Sequence, residues 1–147
     1  MIKQFLRTTS ILGIFFVLAI SSANAQTAGR VEVNIPFDFS AGKVSLKAGT
    51  YSIKRTSGNA LVIRSVDGKT NALISAPLEI GSRDFKAGQR LVFNQYGDRY
   101  FLSQVWLRVD NGLQLFTSGT ETKAARDYRL AKKQAKPQRV AIAMQAK

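Results

Sequence analysis

Short segments in which apolar and polar residues alternate recur along the chain from residue 31 onward, and they restrict the fold more than any other feature. In segment 31–39 every second residue is apolar, and the residues between them are Glu32, Asn34, Pro36 and Asp38. Alternation with a period of two is typical of a β-strand with one face against a core. Because proline donates no backbone hydrogen bond, Pro36 predicts that this strand lies at an edge or breaks there.

Turn sequences separate these segments at short intervals. Glycine-containing turns at residues 67–68 and 97–98, and the Asn-Gly pair at 111–112, are typical of antiparallel hairpins. Residues 91–93 and 100–109 are mostly apolar or aromatic on both faces. They predict a central hairpin buried on both sides, or on one side and beneath the C-terminal segment on the other. The strand spacing predicts an antiparallel β-sandwich or small barrel of about seven to nine strands.

The pattern changes to that of a helix after Ser118. Ser118 and Glu121 have the spacing of a capping box, and residues 119–136 are rich in residue types that favour helices. Pro137 is expected to end this helix. The apolar face of the amphipathic helix would carry Ala124, Tyr128, Ala131 and Ala135, and the basic face Arg126, Arg129, Lys133 and Lys136. A final strand is expected at about residues 139–144, where apolar side chains alternate again.

The first 25 residues have the three parts of a secretory signal peptide. Lys3 and Arg7 give the positively charged start, residues 11–20 are apolar, and Ala23-Asn24-Ala25 is a cleavage motif. We therefore expect an exported protein, periplasmic or secreted, in which residues 26–147 form a single β-rich domain. The chain has no cysteine, so we expect it not to be a lipoprotein and to contain no disulfide bond.

Positive charge is concentrated near the C-terminus. The chain has 22 Lys and Arg against 9 Asp and Glu, and residues 123–147 hold 8 of the basic residues and one acidic residue. Such a field favours an anionic envelope component as partner, either polysaccharide or lipid headgroup. The plain alternative is a basic surface that only faces solvent. Export argues against nucleic acid as a partner, and we expect no membrane-spanning segment after signal cleavage.

The residue types that most catalytic mechanisms need are missing. Histidine and cysteine are absent, which removes the commonest general base, the thiolate nucleophile and the usual transition-metal ligands. The sequence also lacks motifs that bind nucleotide phosphates or calcium. Carboxylate pairs, Asp84 with Asp98 or Asp38 with Glu79, could do acid–base chemistry, but surface ion pairs explain these residues better. We predict a protein that is not an enzyme and uses no cofactor or metal.

Aromatic side chains near one predicted turn are the best candidates for a ligand site. Aromatic residues at strand spacing usually belong to a core, but Tyr96 and Tyr100 flank the turn at residues 97–98, with Arg99 between them. The candidate ligand or surface-binding residues are therefore Tyr96, Arg99, Tyr100, Arg126, Arg129, Lys133 and Lys136. The leading hypothesis is a non-enzymatic envelope or secreted protein that acts by binding or structural association with an anionic surface. The alternative is a barrel that carries a small apolar ligand.

Two stretches also resemble a known group of proteins. The segment Val-Asn-Ile-Pro-Phe-Asp-Phe at 33–39, followed by Leu-Lys-Ala-Gly-Thr-Tyr at 46–51, is similar to the opening of small exported bacterial β-rich proteins of uncharacterised function. The segment Leu-Val-Phe-Asn-Gln-Tyr-Gly-Asp-Arg-Tyr-Phe-Leu at 91–102, continuing to Trp106, resembles their second signature. The resemblance implies export and a β-rich domain, and it brings no catalytic or binding residues. Lys47 stands where that group has a proline.

Overall fold

A computed structural model of the chain describes residues 31–57, 59–132 and 136–146. Within these ranges the protein is mainly β, with one α-helix near the C-terminus. The helix is α1 (Gly119–Ala131), and a short 3-10 turn spans Phe85–Ala87. The strands are β1 (Val31–Ile35), β2 (Phe39–Ala41), β3 (Val44–Leu46), β4 (Gly49–Thr56), β5 (Ala60–Ser65), β6 (Asn71–Ser75), β7 (Leu78–Gly81), β8 (Arg90–Tyr96), β9 (Arg99–Trp106), β10 (Asn111–Gln114), β11 (Gln138–Ala143) and β12 (Gln145–Ala146).

The strands form two sheets that pack as a sandwich. One sheet has the order β12-β1-β4-β5-β6 and the other the order β11-β8-β9-β10-β7, with the β2–β3 hairpin attached through a parallel pairing of β2 with β9. The sequence predicts a sandwich or a small barrel. The described strands do not close into a barrel, and the sandwich is confirmed. More strands are present than predicted because β2, β3 and β12 are too short for alternation to reveal. Pro36 marks the end of β1 rather than an edge, because β1 lies between β12 and β4.

The alternating apolar side chains meet between the sheets. In the first sheet Ile53 lies opposite Ile63, which in turn lies opposite Ala72. In the second sheet Leu91 lies opposite Val105. Side chains at paired positions point to the same face of a sheet. Here that face packs against the other sheet, and all five side chains are buried. Removing this apolar surface from water is the main favourable contribution to folding.

The β8–β9 hairpin is buried on both faces. Towards the core it presents Leu91 and Phe93, and on its outer face Val92 and Phe101 are also buried. Helix α1 packs on this outer face beside β8, with a hydrogen bond from Asn94 to the helix. The prediction of a central hairpin with one face beneath the C-terminal element is therefore confirmed.

Helix α1 begins where the capping pattern predicts and ends earlier. The Ser118 hydroxyl accepts a hydrogen bond from the backbone N–H of Glu121 at 3.2 Å. Lys132 has φ −111° and ψ 25°, outside the helical range, so the helix ends at Ala131 and not at the predicted residue 136. Residues 133–135 lie outside the described residues. The predicted final strand is confirmed as β11, and pairing β11 with β8 requires the chain to leave the helix despite its favourable composition.

Gly112 makes room for the indole of Trp106, and this contact gives a test of the packing. A Cβ at residue 112 would lie 2.6 to 2.9 Å from three ring atoms of Trp106. Trp106 is 4% exposed, and the Arg90 guanidinium lies 4.4 Å from its ring centroid, so the ring has little freedom to move. We expect Gly112→Ala to lower the free energy of unfolding by about 1 to 3 kcal/mol because the strand becomes overpacked.

Urea denaturation followed by tryptophan fluorescence measures this change. Gly119→Ala is the matched control, because no heavy atom lies within 4 Å of a Cβ built at residue 119. The control should keep the stability of the unmodified protein or slightly exceed it. Equal stability of Gly112→Ala and the unmodified protein would contradict the close packing of Trp106.

Candidate functional site

The turn between β8 and β9 places the three candidate residues of the hairpin on different faces. Gly97 has φ 67°, which glycine adopts at little cost, and the turn it closes joins Tyr96 to Arg99. Tyr96 and Arg99 are cross-strand partners and point to the outer face, where α1 packs. Tyr100, the next residue of β9, points to the opposite face and packs against the core. The three side chains therefore do not form one site.

Tyr96 holds the helix and does not present a free ring. Its hydroxyl lies 3.4 Å from Oε1 of Glu121, and its ring makes edge contacts with Phe101 and Tyr128. Burial and the nearby Glu121 raise the pKa of Tyr96, and the charge of Arg129 partly opposes this rise. The helix residue that contacts the Tyr96 ring is Tyr128, with centroids 6.1 Å apart, and the candidate residue Arg129 follows it in the chain.

Glu121 is a contact residue that the sequence did not mark as part of a site. It is 4% exposed and accepts a hydrogen bond from Nδ2 of Asn94 at 2.9 Å. The first turn of a helix is a favourable place for a carboxyl group, because the free N–H groups there carry positive partial charge. The sequence assigned Glu121 to the capping box alone. The signal that could have revealed its second contact is Asn94, a polar residue after the apolar run of β8.

Glu121→Ala is expected to loosen α1 from the sheet. Asn94 and Tyr96 would each lose an acceptor in a partly buried setting, which costs about 1 to 3 kcal/mol of unfolding free energy. Trypsin should then cleave after Arg126 and Arg129 faster than in the unmodified protein, because cleavage requires local unfolding. Glu121→Gln is the matched control, since its amide oxygen still accepts hydrogen bonds. Equal cleavage rates in the two variants would show that Glu121 does not anchor the helix.

A cleft open to solvent, of about 290 Å³, lies between the β2–β3 hairpin and the start of β9. We call it the hairpin cleft, and its polar lining residues are Asp38, Ser40, Ser45, Lys47, Asp98 and Arg99. Tyr100 forms one wall. Phe37 stacks on the Tyr100 ring with centroids 3.8 Å apart. Nε2 of Gln95 donates a hydrogen bond to the Tyr100 hydroxyl at 3.0 Å. Tyr100 therefore has one ring face covered and does not offer an open stacking platform.

Asp38 and Lys47 fix one side of the hairpin cleft. Nζ of Lys47 donates to Oδ2 of Asp38 at 2.8 Å, and the backbone N–H of Ala48 donates to Oδ1 at 2.9 Å. The hydrogen bond from Lys47 and, to a smaller extent, that from the Ala48 N–H lower the pKa of Asp38. The bond to Asp38 in turn raises the pKa of Lys47. Asp38 is therefore ionised at neutral pH. The carboxylate pair of Asp38 with Glu79 is not formed as a unit, because Glu79 pairs with Arg55.

Titration of Asp38 tests this arrangement. Its carboxyl should titrate below the ordinary pKa of 3.8, so the contact is complete above that pH and is lost as the pH falls through the lowered value. Lys47→Met should move the pKa of Asp38 towards 3.8, with a residual shift from the Ala48 N–H. NMR of the Asp38 carboxyl carbon and the Ala48 amide measures both effects. Lys43→Met on the same hairpin is the control, and identical pKa values of Asp38 in the two variants would contradict the pair.

The exposed side of α1 is basic. Docking buries Glu121 and Ala124, and the opposite side of the helix faces solvent. Positions related by three and four residues lie along one line of a helix, and on this side they form a ridge of Lys123, Arg126 and Leu130. Leu130 is 75% exposed. The ridge therefore combines two cations with one apolar side chain.

The cations exposed on and just after α1 form what we call the helix surface: Lys123, Arg126, Arg129 and Lys132. The four ion pairs between described residues all involve other side chains. Of the predicted basic face, Arg126 and Arg129 lie on the helix as expected. Lys136 is exposed but follows the end of α1, and Lys133 lies outside the described residues.

No protein-family profile, curated protein or solved structure matches this chain. In the described part of the chain no cluster of three or more metal-ligating side chains could hold an ion. No helix there is long and apolar enough to cross a membrane. The helix surface and the hairpin cleft are the two candidate sites.

Proposed function

We propose that this chain is an exported, non-enzymatic envelope or secreted protein that binds an anionic envelope component, polysaccharide or lipid headgroup, through the helix surface. The observation that carries the proposal is the orientation of α1. One side of the helix is fixed to the sheet by Glu121 and Ala124, so its cations stay together on the exposed sides. Several charges of one sign on a rigid element attract an extended anionic surface and contact it at several points.

The distribution of ion pairs supports the proposal. On the sandwich, four cations are matched by carboxylates: Lys47 with Asp38, Arg55 with Glu79, Lys69 with Asp67 and Arg108 with Asp110. On the exposed sides of α1, Asp127 is the one acidic residue. Arg99 adds a cation to the same outer face, with its guanidinium 5.4 Å from the centroid of the Phe101 ring. Among the described residues, the four cations of the helix surface and Arg99 therefore take part in none of these ion pairs.

The carboxylates support a function without catalysis. A general acid at neutral pH needs a raised pKa. The pKa values of four acids are instead lowered, mainly by hydrogen bonds from partners that stabilise the ionised form: Asp38 from Lys47, Asp67 from Ser65, Glu79 from Arg55 and Asp110 from Arg108. These side chains act in ion pairs and turns. The two carboxylates of the hairpin cleft, Asp38 and Asp98, also lack a histidine or cysteine partner.

The alternative, a carrier of a small apolar ligand, has less support. Such a carrier needs space between its sheets for the ligand. The inward side chains of both sheets instead pack into one hydrophobic cluster. Within it the Phe93 ring makes edge contacts with Phe37 and Phe39, with centroids 5.2 and 5.5 Å apart.

Neutralising the helix surface tests the proposal. The purified protein is applied to an immobilised anionic polysaccharide and, separately, mixed with vesicles that contain an anionic phospholipid. Retention on at least one of them should fall as salt rises, because screening weakens exposed charges. Arg126→Gln combined with Arg129→Gln should weaken binding about fivefold to tenfold, since exposed ion pairs contribute about 0.5 to 0.7 kcal/mol each.

The control for this test is Lys54→Gln combined with Arg64→Gln. These exposed residues lie on the outer face of the first sheet, so the control removes the same charge from another part of the molecule. Its effect should be clearly smaller. Binding without salt dependence, no binding to either matrix, or equal loss in the two double variants would overturn the proposal.

A further inference from the structure

Strand β6 is an open edge of the first sheet. It pairs with β5 on one side, through a register that runs from Ala60 opposite Ser75 to Arg64 opposite Asn71. No described residue pairs with its other side. An edge strand presents a row of backbone donors and acceptors that another strand can bind.

The hydrogen bonds at the two ends of this pairing show which groups point outward. The Ser65 N–H donates to the Thr70 carbonyl at 2.9 Å, and the Ala76 N–H donates to the Asn59 carbonyl at 2.9 Å. Because backbone groups of successive residues in a strand point to opposite sides, the even-numbered residues of β6 face β5. The N–H and C=O groups of the odd-numbered residues face the open edge: Asn71, Leu73 and Ser75.

The other sheet edges are protected in ways that β6 is not. Glu79 of β7 places a charge at its edge and bonds to Arg55, and β11 carries Arg139. Strands β12 and β3 each pair on one side and have two and three residues. Short edge strands and edge charges are the usual means by which proteins prevent strand addition. Strand β6 has five uncharged residues, and the side chain of Leu73 at its centre is 69% exposed.

We propose that β6 pairs with β6 of a second copy of this chain to join the first sheets of the two copies. In an antiparallel pairing centred on Leu73, Leu73 lies opposite its own copy and Asn71 lies opposite Ser75. Every outward N–H then meets an outward C=O, so the edge is complementary to itself, as a two-fold symmetric interface requires. No like charges face each other within the paired strands. The two Leu73 side chains meet on the outer face, next to the half-buried Val62 of β5.

Sedimentation of the purified protein from micromolar to millimolar concentration tests this pairing, with dimers expected to accumulate as concentration rises. Leu73→Pro removes an outward N–H and no hydrogen bond to β5, and proline is tolerated at such edge positions. Because the dimer then loses two interstrand hydrogen bonds, its dissociation constant should rise about thirtyfold. Leu130→Lys, at another exposed leucine, is the control and should leave the dissociation constant unchanged. If thermal melting shows that Leu73→Pro is unfolded, Leu73→Lys replaces it, since two facing lysines also oppose the pairing.

Cross-linking tests the register. The chain has no cysteine, so a mixture of the Asn71→Cys and Ser75→Cys proteins offers one thiol per chain. The proposed register brings residue 71 of one copy opposite residue 75 of the other, within the reach of a disulfide. The mixture should form a mixed disulfide under mild oxidation, and each variant alone should form much less, because identical positions lie about 14 Å apart along the strands.

A protein that stays monomeric at millimolar concentration would overturn the proposal. So would a dissociation constant that Leu73→Pro leaves unchanged, or one that Leu130→Lys raises as much as Leu73→Pro does. Equal cross-linking of the mixture and of the separate variants would overturn the register. The pairing does not depend on the helix surface, so the Arg126→Gln and Arg129→Gln double variant should dimerise as the unmodified protein does.

Discussion

Burial of the β8–β9 hairpin on both faces is the constraint on which the rest of the structure depends. Its inner face supplies Leu91 and Phe93 to the core. Strand β8 pairs with β11, and β9 pairs with β10 and β2, so the second sheet is assembled around the hairpin. The outer face is also apolar, and an uncovered apolar face of this size would be a hydrophobic patch exposed to water. Helix α1 covers this outer face. The β8–β9 hairpin therefore positions both candidate sites, because it supports the helix and because the start of β9 forms one side of the hairpin cleft.

The polar contacts between α1 and the sheet explain why the helix docks in a single orientation. Apolar packing alone tolerates small shifts, whereas a buried carboxyl group must keep its hydrogen-bond partners. Glu121 finds these partners in Asn94 and Tyr96 of β8. That requirement fixes the rotation of α1 about its axis, and the rotation decides that Lys123 and Arg126 face solvent. The direction of the basic surface is therefore a consequence of a buried contact.

The two proposed contact surfaces lie on different sheets. The helix surface lies on the outer face of the second sheet, and the uncharged edge strand β6 belongs to the first sheet, whose outer face also carries Lys54 and Arg64. A strongly positive chain repels other copies of itself through most of its surface. An uncharged edge that bonds through its backbone is a place where two copies can approach. Binding to an anionic surface and pairing with a second copy would thus use different parts of the protein.

The local pattern of the sequence determined the main strands, the turns at residues 67–68 and 97–98 and the start of the helix, because alternation, glycine turns and the Ser118 cap depend on residues a few positions apart. The turn predicted at the Asn-Gly pair 111–112 is wrong, because both residues lie in β10 and pair with β7. Only the tertiary structure decided that Tyr96 supports the helix, that Glu121 is buried, that Lys136 lies beyond the helix end and that Tyr100 lines a cleft. It also decided that β2 runs parallel to β9 and that β6 is an open edge. Each of these facts depends on contacts between residues far apart in the chain, and such contacts leave no periodic signal in the sequence.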